Sequence, residues 1–405
     1  MRGIPSVVAL SVALSGAVLA APADWPQYRG PRRDGLSAET GLLAAWPAGG
    51  PKVLWRASLG NGYSGLAVAG GRVFTLFGNG RDEYAVAFDA ASGKELWRAR
   101  TDADRRDGQG SGPRSTPTVD GARVYALSAL GKLHALDAAS GARRWSVDLA
   151  AEYGARVPAW GVSTSPLVEG ELLLVDAGGR AGHSLLALEK ESGKLAWASE
   201  TDQAGYSAPL AVTVDGVRQV LFFTGTSLVS VSPADGKAFW RVPWETGYDV
   251  NAAMPVFVPP DRVFISSGYD KGAQVLRIRR QGGGAAVEPV WRSRVMKNHF
   301  NSSVLVDGFL YGFDDGTFKC IEAASGEERW AQRGFAKGSL LAAGGHLWVL
   351  SERGLLALVE ATPEAYREKA RHQLFEAKTW TMPSLSDGRL FVRSEKELVA
   401  LDVEG

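Results

Sequence analysis

Cysteine is nearly absent: the 405 residues hold one, Cys320. A single thiol excludes an intrachain disulfide, and its place in an apolar strand pattern predicts a buried, inert side chain. Charge of one sign is also missing. The chain has 45 Lys+Arg against 44 Asp+Glu, net +1, with no long like-charge block. That removes the electrostatic basis for a nucleic-acid partner. Histidine is scarce and scattered, at His134, His183, His299, His346 and His372, with no spacing that suits zinc. There is no G-x-S-x-G elbow. The Gly-rich GQGSGP at 108–113 leads into a strand pattern rather than a helix N-terminus, so it is not a phosphate cradle.

Long apolar runs are lacking too. The longest, Val7 to Ala20, is broken by small residues, follows Arg2 and precedes Ala21-Pro22-Ala23. This reads as a cleaved secretory signal over 1–23, with cleavage after Ala20 or Ala23, and no membrane span in the mature chain. No cysteine stands near the cleavage site to carry a lipid. A periplasmic or secreted, monomeric protein is expected, with a leader at 24–49 ahead of one domain at 50–405.

What the chain does have is glycine, 49 of them, and tryptophan, 13, placed in a recurring phrase. It reads AFDAASGKELW at 87–97, ALDAASGARRW at 135–145, ALEKESGKLAW at 187–197, SVSPADGKAFW at 230–240 and CIEAASGEERW at 320–330. An apolar strand, a tight Gly turn and a returning strand ending in Trp account for each copy. A second phrase precedes it, as in STPTVDGARVYAL at 115–127 and TSPLVEGELLLV at 164–175: two short strands around a Gly turn. Four strands per 39–52 residues is one propeller blade.

Trp55, Trp97, Trp145, Trp197, Trp240, Trp291 and Trp330, with Phe375 as stand-in, mark eight fourth strands. These Trp should dock neighbouring blades. KVLW at 52–55 is a fourth strand without a blade before it, and LVALDVEG at 398–405 ends a blade after its third strand. Pairing the two closes an all-β, eight-bladed β-propeller and removes its open edge. Blade five carries a longer Gly-rich turn. In blade seven Thr362, Pro363 and Glu364 predict a short helix where the tight turn belongs.

These phrases resemble the pyrroloquinoline-quinone (PQQ) repeat family, whose hallmark is A-x-D-x-x-[ST]-G-x-x-x-W. The resemblance runs from about residue 50 to 405, and the leader DWPQYRGPRRDGLS at 24–37 is similar to that of secreted bacterial PQQ-like propellers. It implies one of two roles. One branch comprises quinoprotein dehydrogenases, which bind PQQ with Ca²⁺. The other includes the propeller lipoprotein of the outer-membrane β-barrel assembly machinery, which binds protein partners and no cofactor. Against the first stand the lack of an adjacent Cys pair and of a ligand set; Asp314-Asp315 lacks the alternation of a calcium loop. The expectation is therefore a non-catalytic binding or scaffolding module without cofactor, the alternative a small PQQ-dependent dehydrogenase.

In a propeller the loops feeding the innermost strands open on one face. The residues just before each second-type phrase should converge there: Arg114, Trp160, Tyr206, Asn251, His299, Asn301, Lys337 and Trp380. Flat aromatics beside Arg, Lys and Asn suit a planar ligand, a carboxylate or a peptide or protein partner. No obvious general base is among them, so no catalytic residue is expected.

Overall fold

The structure is a computed structural model that describes residues 23–405; the expected signal lies outside the described residues but for Ala23. Eight four-stranded antiparallel sheets follow one another along the chain. Blade one comprises Ala67–Ala69, Arg72–Gly78, Asp82–Asp89 and Glu95–Ala103, ordered from the axis outward. The innermost strands of the next seven are Thr118–Asp120, Leu167–Glu169, Leu210–Val214, Val256–Val258, Val304–Val306, Gly338–Ala343 and Ser384–Ser386. Blade eight is completed by Lys52–Ser58, which pairs antiparallel with Glu397–Asp402, Trp55 facing Ala400. The ring thus closes as the sequence suggests.

The repeated phrase has a double purpose for its glycine. Asp137 accepts from Ser140 N–H and O–H, and Gly141 N–H donates to the Asp137 carbonyl. That turn leaves Gly141 at φ 72°, and a Cβ there would stand 2.6 Å from the Trp97 ring of the preceding blade. Gly93 under Trp55, Gly193 under Trp145, Gly236 under Trp197 and Gly326 under Trp291 repeat the arrangement. Each indole N–H then crosses the seam: Trp97 donates to the Ala138 carbonyl at 3.0 Å and Trp145 to Lys190 at 3.1 Å. The peg is therefore both an apolar filling and a directed hydrogen bond. Trp240 differs. Blade five lacks the phrase, so its indole donates to Gln219 Oε1 of its own blade while packing beside Met254 and Ile278.

Blade seven departs from expectation. Residues 361–367 form no helix, and Arg367 carbonyl instead accepts from Glu360 N–H at 2.9 Å. The residues that follow, Glu368–Gln373, are the fourth strand. Capping signals lost to the sheet, whose third strand Leu355–Glu360 would otherwise be an unpaired edge. The Trp position, just ahead of the bulge, is held by Ala370 opposite Leu358; Phe375 lies beyond the strand, buried. A short helix, Leu149–Tyr153, capped by Asp148, was not foreseen between blades two and three.

The leader dips into the ring from the face of the inner-strand turns and leaves by the same face, with Asp24 beside Gly70 and Glu39 beside Gly388. Trp25 bridges to Val68 of blade one and is 1% exposed, deep in the largest apolar cluster. Pro26 carbonyl accepts from Val119 of blade two, and Leu36 bridges to Ala342 of blade seven. Between them two guanidiniums lie buried in the channel. Arg29 donates to the Ser303 carbonyl at 2.7 Å. Arg33 donates to the carbonyls of Ser165, Pro166 and Pro209 and to Gln27 Oε1. Burial pulls Arg33 down to about 9. Carbonyl dipoles of three inner strands hold the plug in place. No helix among the described residues is long and apolar enough to cross a membrane.

Candidate functional site

Where the chain feeds the inner strands, the plug leaves a blind cavity of about 340 Å³ with Tyr28 of the leader in its lining. Seven of the eight residues singled out from the sequence line it: Arg114, Trp160, Tyr206, His299, Asn301, Lys337 and Trp380. Asn251 does not. It is fully buried beside the mouth, where its amide donates to the carbonyls of Thr224, Gly225 and Trp244, and its oxygen accepts from Ser267. Short polar side chains preceding an inner strand can satisfy loop backbone instead of facing a ligand, and Asn251 does so.

The aromatic rings form a collar. Tyr63 lies 5.1 Å from Trp380, which stacks on Phe300 at 4.9 Å. Phe300 meets His299 at 5.9 Å, and His299 stacks on Tyr269 at 5.1 Å. Tyr269 then meets Tyr248 at 6.2 Å, Tyr248 meets Trp160 at 5.9 Å, and Trp160 meets Tyr206 at 5.9 Å. Tyr63, Tyr269, Phe300 and Tyr248 escaped the sequence reading. Tyr63 precedes the inner strand Ala67–Ala69 of blade one, and Tyr269 follows a second strand, whose outgoing loop opens on the same face. Attention to those loops would have found it.

The gap between Tyr206 and Tyr63 is filled by Arg114, whose guanidinium lies 5.5 Å from the Tyr63 ring centre. It pairs with Asp107 at 3.2 Å and donates to the Gly110 and Gly112 carbonyls, so the 101–112 segment folds over this side. Burial lowers the Arg114 pKa, opposed by Asp107. Lys378 lies 4.3 Å over Trp380. Three nearby carboxylates are engaged. Asp107 holds Arg114; Glu395 accepts from Tyr63 O–H; Glu352 accepts from the Trp380 indole at 2.9 Å and from Lys337 N–H. Lys337 Nζ, in contrast, forms no ion pair or hydrogen bond among the described residues. Burial, reinforced by Lys337, lowers the His299 pKa, and its Nδ1 has no partner.

This donor set does not fit Ca²⁺. A calcium site needs several convergent oxygens, with carboxylates free to turn inward. Here they are spent on Arg114, Tyr63 and Trp380, and no cluster of three His, Cys, Asp or Glu among the described residues could hold a metal. Asp314 and Asp315 pair with Lys319 and Lys297.

The family model PQQ_2, described as outer membrane protein assembly factor BamB, matches residues 39–148 and 81–332. The chain belongs to this family. A curated member, outer membrane protein assembly factor BamB of Moranella endobia (strain PCIT), is 25% identical over 261 residues, 60% of this chain. The match spans 64% of that relative's length. Among solved structures, BamB of Moraxella catarrhalis aligns with a TM-score of 0.63 at 15% identity, covering 87% of this chain and 100% of that one. The quinohemoprotein alcohol dehydrogenase of Comamonas testosteroni aligns with 0.66 at 12%, covering 95% and 81%. At such identities PQQ_2 propellers and dehydrogenases share this chain's fold, and fold alone does not choose a function.

Proposed function

We propose that the protein is a non-catalytic binding or scaffolding propeller of the bacterial envelope or its exterior, capturing a partner at the collared mouth. The observation that carries this reading is the engagement of Asp107, Glu352 and Glu395 by neighbours, beside rigid aromatic surfaces and an unpaired Lys337. The carboxylates Asp107, Glu352 and Glu395 are each held by a neighbour, and the one lining imidazole, His299, is stacked on Tyr269. Flat, amphipathic rings with fixed orientation are instead what binding surfaces use. The family supports the same direction, since its described member is an assembly factor. Neither PQQ nor Ca²⁺ has a part in this reading. The protein would act as a monomer, with no membrane span once a signal is removed.

In-cell photocrosslinking tests it. A benzophenone amino acid at Tyr248, on the mouth rim, should give a discrete adduct. One at Asp307, in the turn at the far end of an inner strand, should not. Equal labelling from both faces, or none from Tyr248, would contradict a mouth-centred role.

A further inference from the structure

Two loops of the collar hold non-glycine residues in the left-handed region. Tyr248 has φ 63° and Asp249 57° in one; Tyr269 has 53° and Asp270 59° in the other. Each such residue costs roughly 1–2 kcal/mol against ordinary backbone. Four of them meet where the Tyr248 and Tyr269 rings touch, and those two residues are 74% and 41% exposed. Tyr269 and Asp270 close the hairpin between Arg262–Ser267 and Gly272–Gln281, with Lys271 N–H donating to the Gly268 carbonyl, yet an exposed tyrosine in such a turn adds nothing to the core. It presents rigid amphipathic surface with little entropy left to lose, as protein-binding surfaces do.

Just inside this rim the pocket is blind, floored by the leader, so it admits a side chain or a chain end and cannot thread a strand. Its cations are not equally spent. Arg114 is paired with Asp107, Lys378 lies on aromatic faces, and Lys337 has no anion. An anionic group on a guest therefore finds a free cation at Lys337.

Resting on the proposed binding role, we infer that the mouth takes a peptide segment in which an aromatic residue adjoins an Asp or Glu. The aromatic ring enters the collar, the carboxylate meets Lys337, and the flanking backbone lies against Tyr248 and Tyr269. Buried aromatic anchors supply most of the affinity in such interfaces, and the charge pair fixes register.

The test is selection of a phage-displayed heptapeptide library on the purified protein, followed by synthesis of the enriched peptides. Enriched sequences should carry Phe, Tyr or Trp next to Asp or Glu. Binding should weaken about tenfold in Lys337→Gln, equivalent to about 1.4 kcal/mol. Replacing the peptide's acid by its amide should cost a similar factor on the parent protein and little on Lys337→Gln, the signature of a direct pair. Tyr248→Asn, which tolerates the left-handed backbone, should weaken binding with thermal unfolding unchanged. No enrichment, enrichment of basic peptides, or equal binding by the variants would overturn the inference. So would saturable, Lys337-dependent capture of uronic-acid oligosaccharides in place of peptides. Failure here with no enzymatic turnover leaves the binding role standing; turnover would remove both.

Discussion

Arg393 of blade eight, with its side chain wholly buried, donates to the Leu76 carbonyl of blade one at 2.8 Å. The same guanidinium reaches the carbonyls of Ser64 and Gly62 and the Thr75 hydroxyl. It bolts the last blade to the first, at the seam the chain termini must close. Burial lowers it to about 9, so it stays charged at neutral pH and is compensated by dipoles.

Arg393→Met should therefore strand several buried carbonyls. At about 1–3 kcal/mol for each group left unsatisfied, a total loss of roughly 3–5 kcal/mol is expected. Urea unfolding measures it. A variant as stable as the parent would show that water or a neighbour replaces the guanidinium.

The repeat glycines are of two kinds. Gly141 and Gly170 both have positive φ, at 72° and 61°, but only Gly141 lies under a ring; nothing stands within 4 Å of a Cβ at Gly170. Gly170→Ala should cost roughly 1–2 kcal/mol from backbone strain. Gly141→Ala adds a clash with Trp97, for about 2–5 kcal/mol in all. Equal losses in thermal unfolding would mean that the Trp peg shifts without cost.

Glu83 has no exposed surface; Thr101 O–H and Ala129 N–H donate to its two oxygens at 2.9 Å. Burial raises its pKa to about 8, with Asp102 and Asp104 adding to the rise. The folded state then holds a proton that the unfolded state has released above about pH 4.5. Stability from this group should fall as pH rises from there to about 8, by at most about 1.4 kcal/mol per pH unit, and level off beyond. Glu83→Gln should flatten that part of the profile. Asp176, also buried and raised to about 8, should leave a residual slope of the same sign. A profile unchanged by Glu83→Gln would place the carboxyl in its ordinary range.

The ring was legible because its devices are local: Asp137, Ser140, Gly141 and Trp145 lie within one hairpin and repeat. Closure was legible for the same reason, since Trp55 stands in a fourth-strand pattern. What escaped depends on distant parts of the chain. Trp25 stands outside the repeated phrases, yet it is packed among residues of blades one, seven and eight. Arg29 and Arg33 read as ordinary basic leader residues until inner-strand carbonyls surround them. Blade seven shows capping signals giving way to sheet completion. The mouth was legible as a list of positions preceding inner strands. Asn251 failed because its partners Thr224, Gly225 and Ser267 lie in other parts of the chain, and Tyr248 was missed because it enters from the rim.

Quinone reconstitution distinguishes binding without turnover from catalysis. Purified protein would be incubated with PQQ and Ca²⁺, then assayed for alcohol-dependent dye reduction alongside calorimetric titration. No turnover, and no Ca²⁺-dependent tightening of any PQQ binding, is the predicted result. Saturable Ca²⁺-dependent binding with dye reduction that is lost in Trp380→Ala would contradict it.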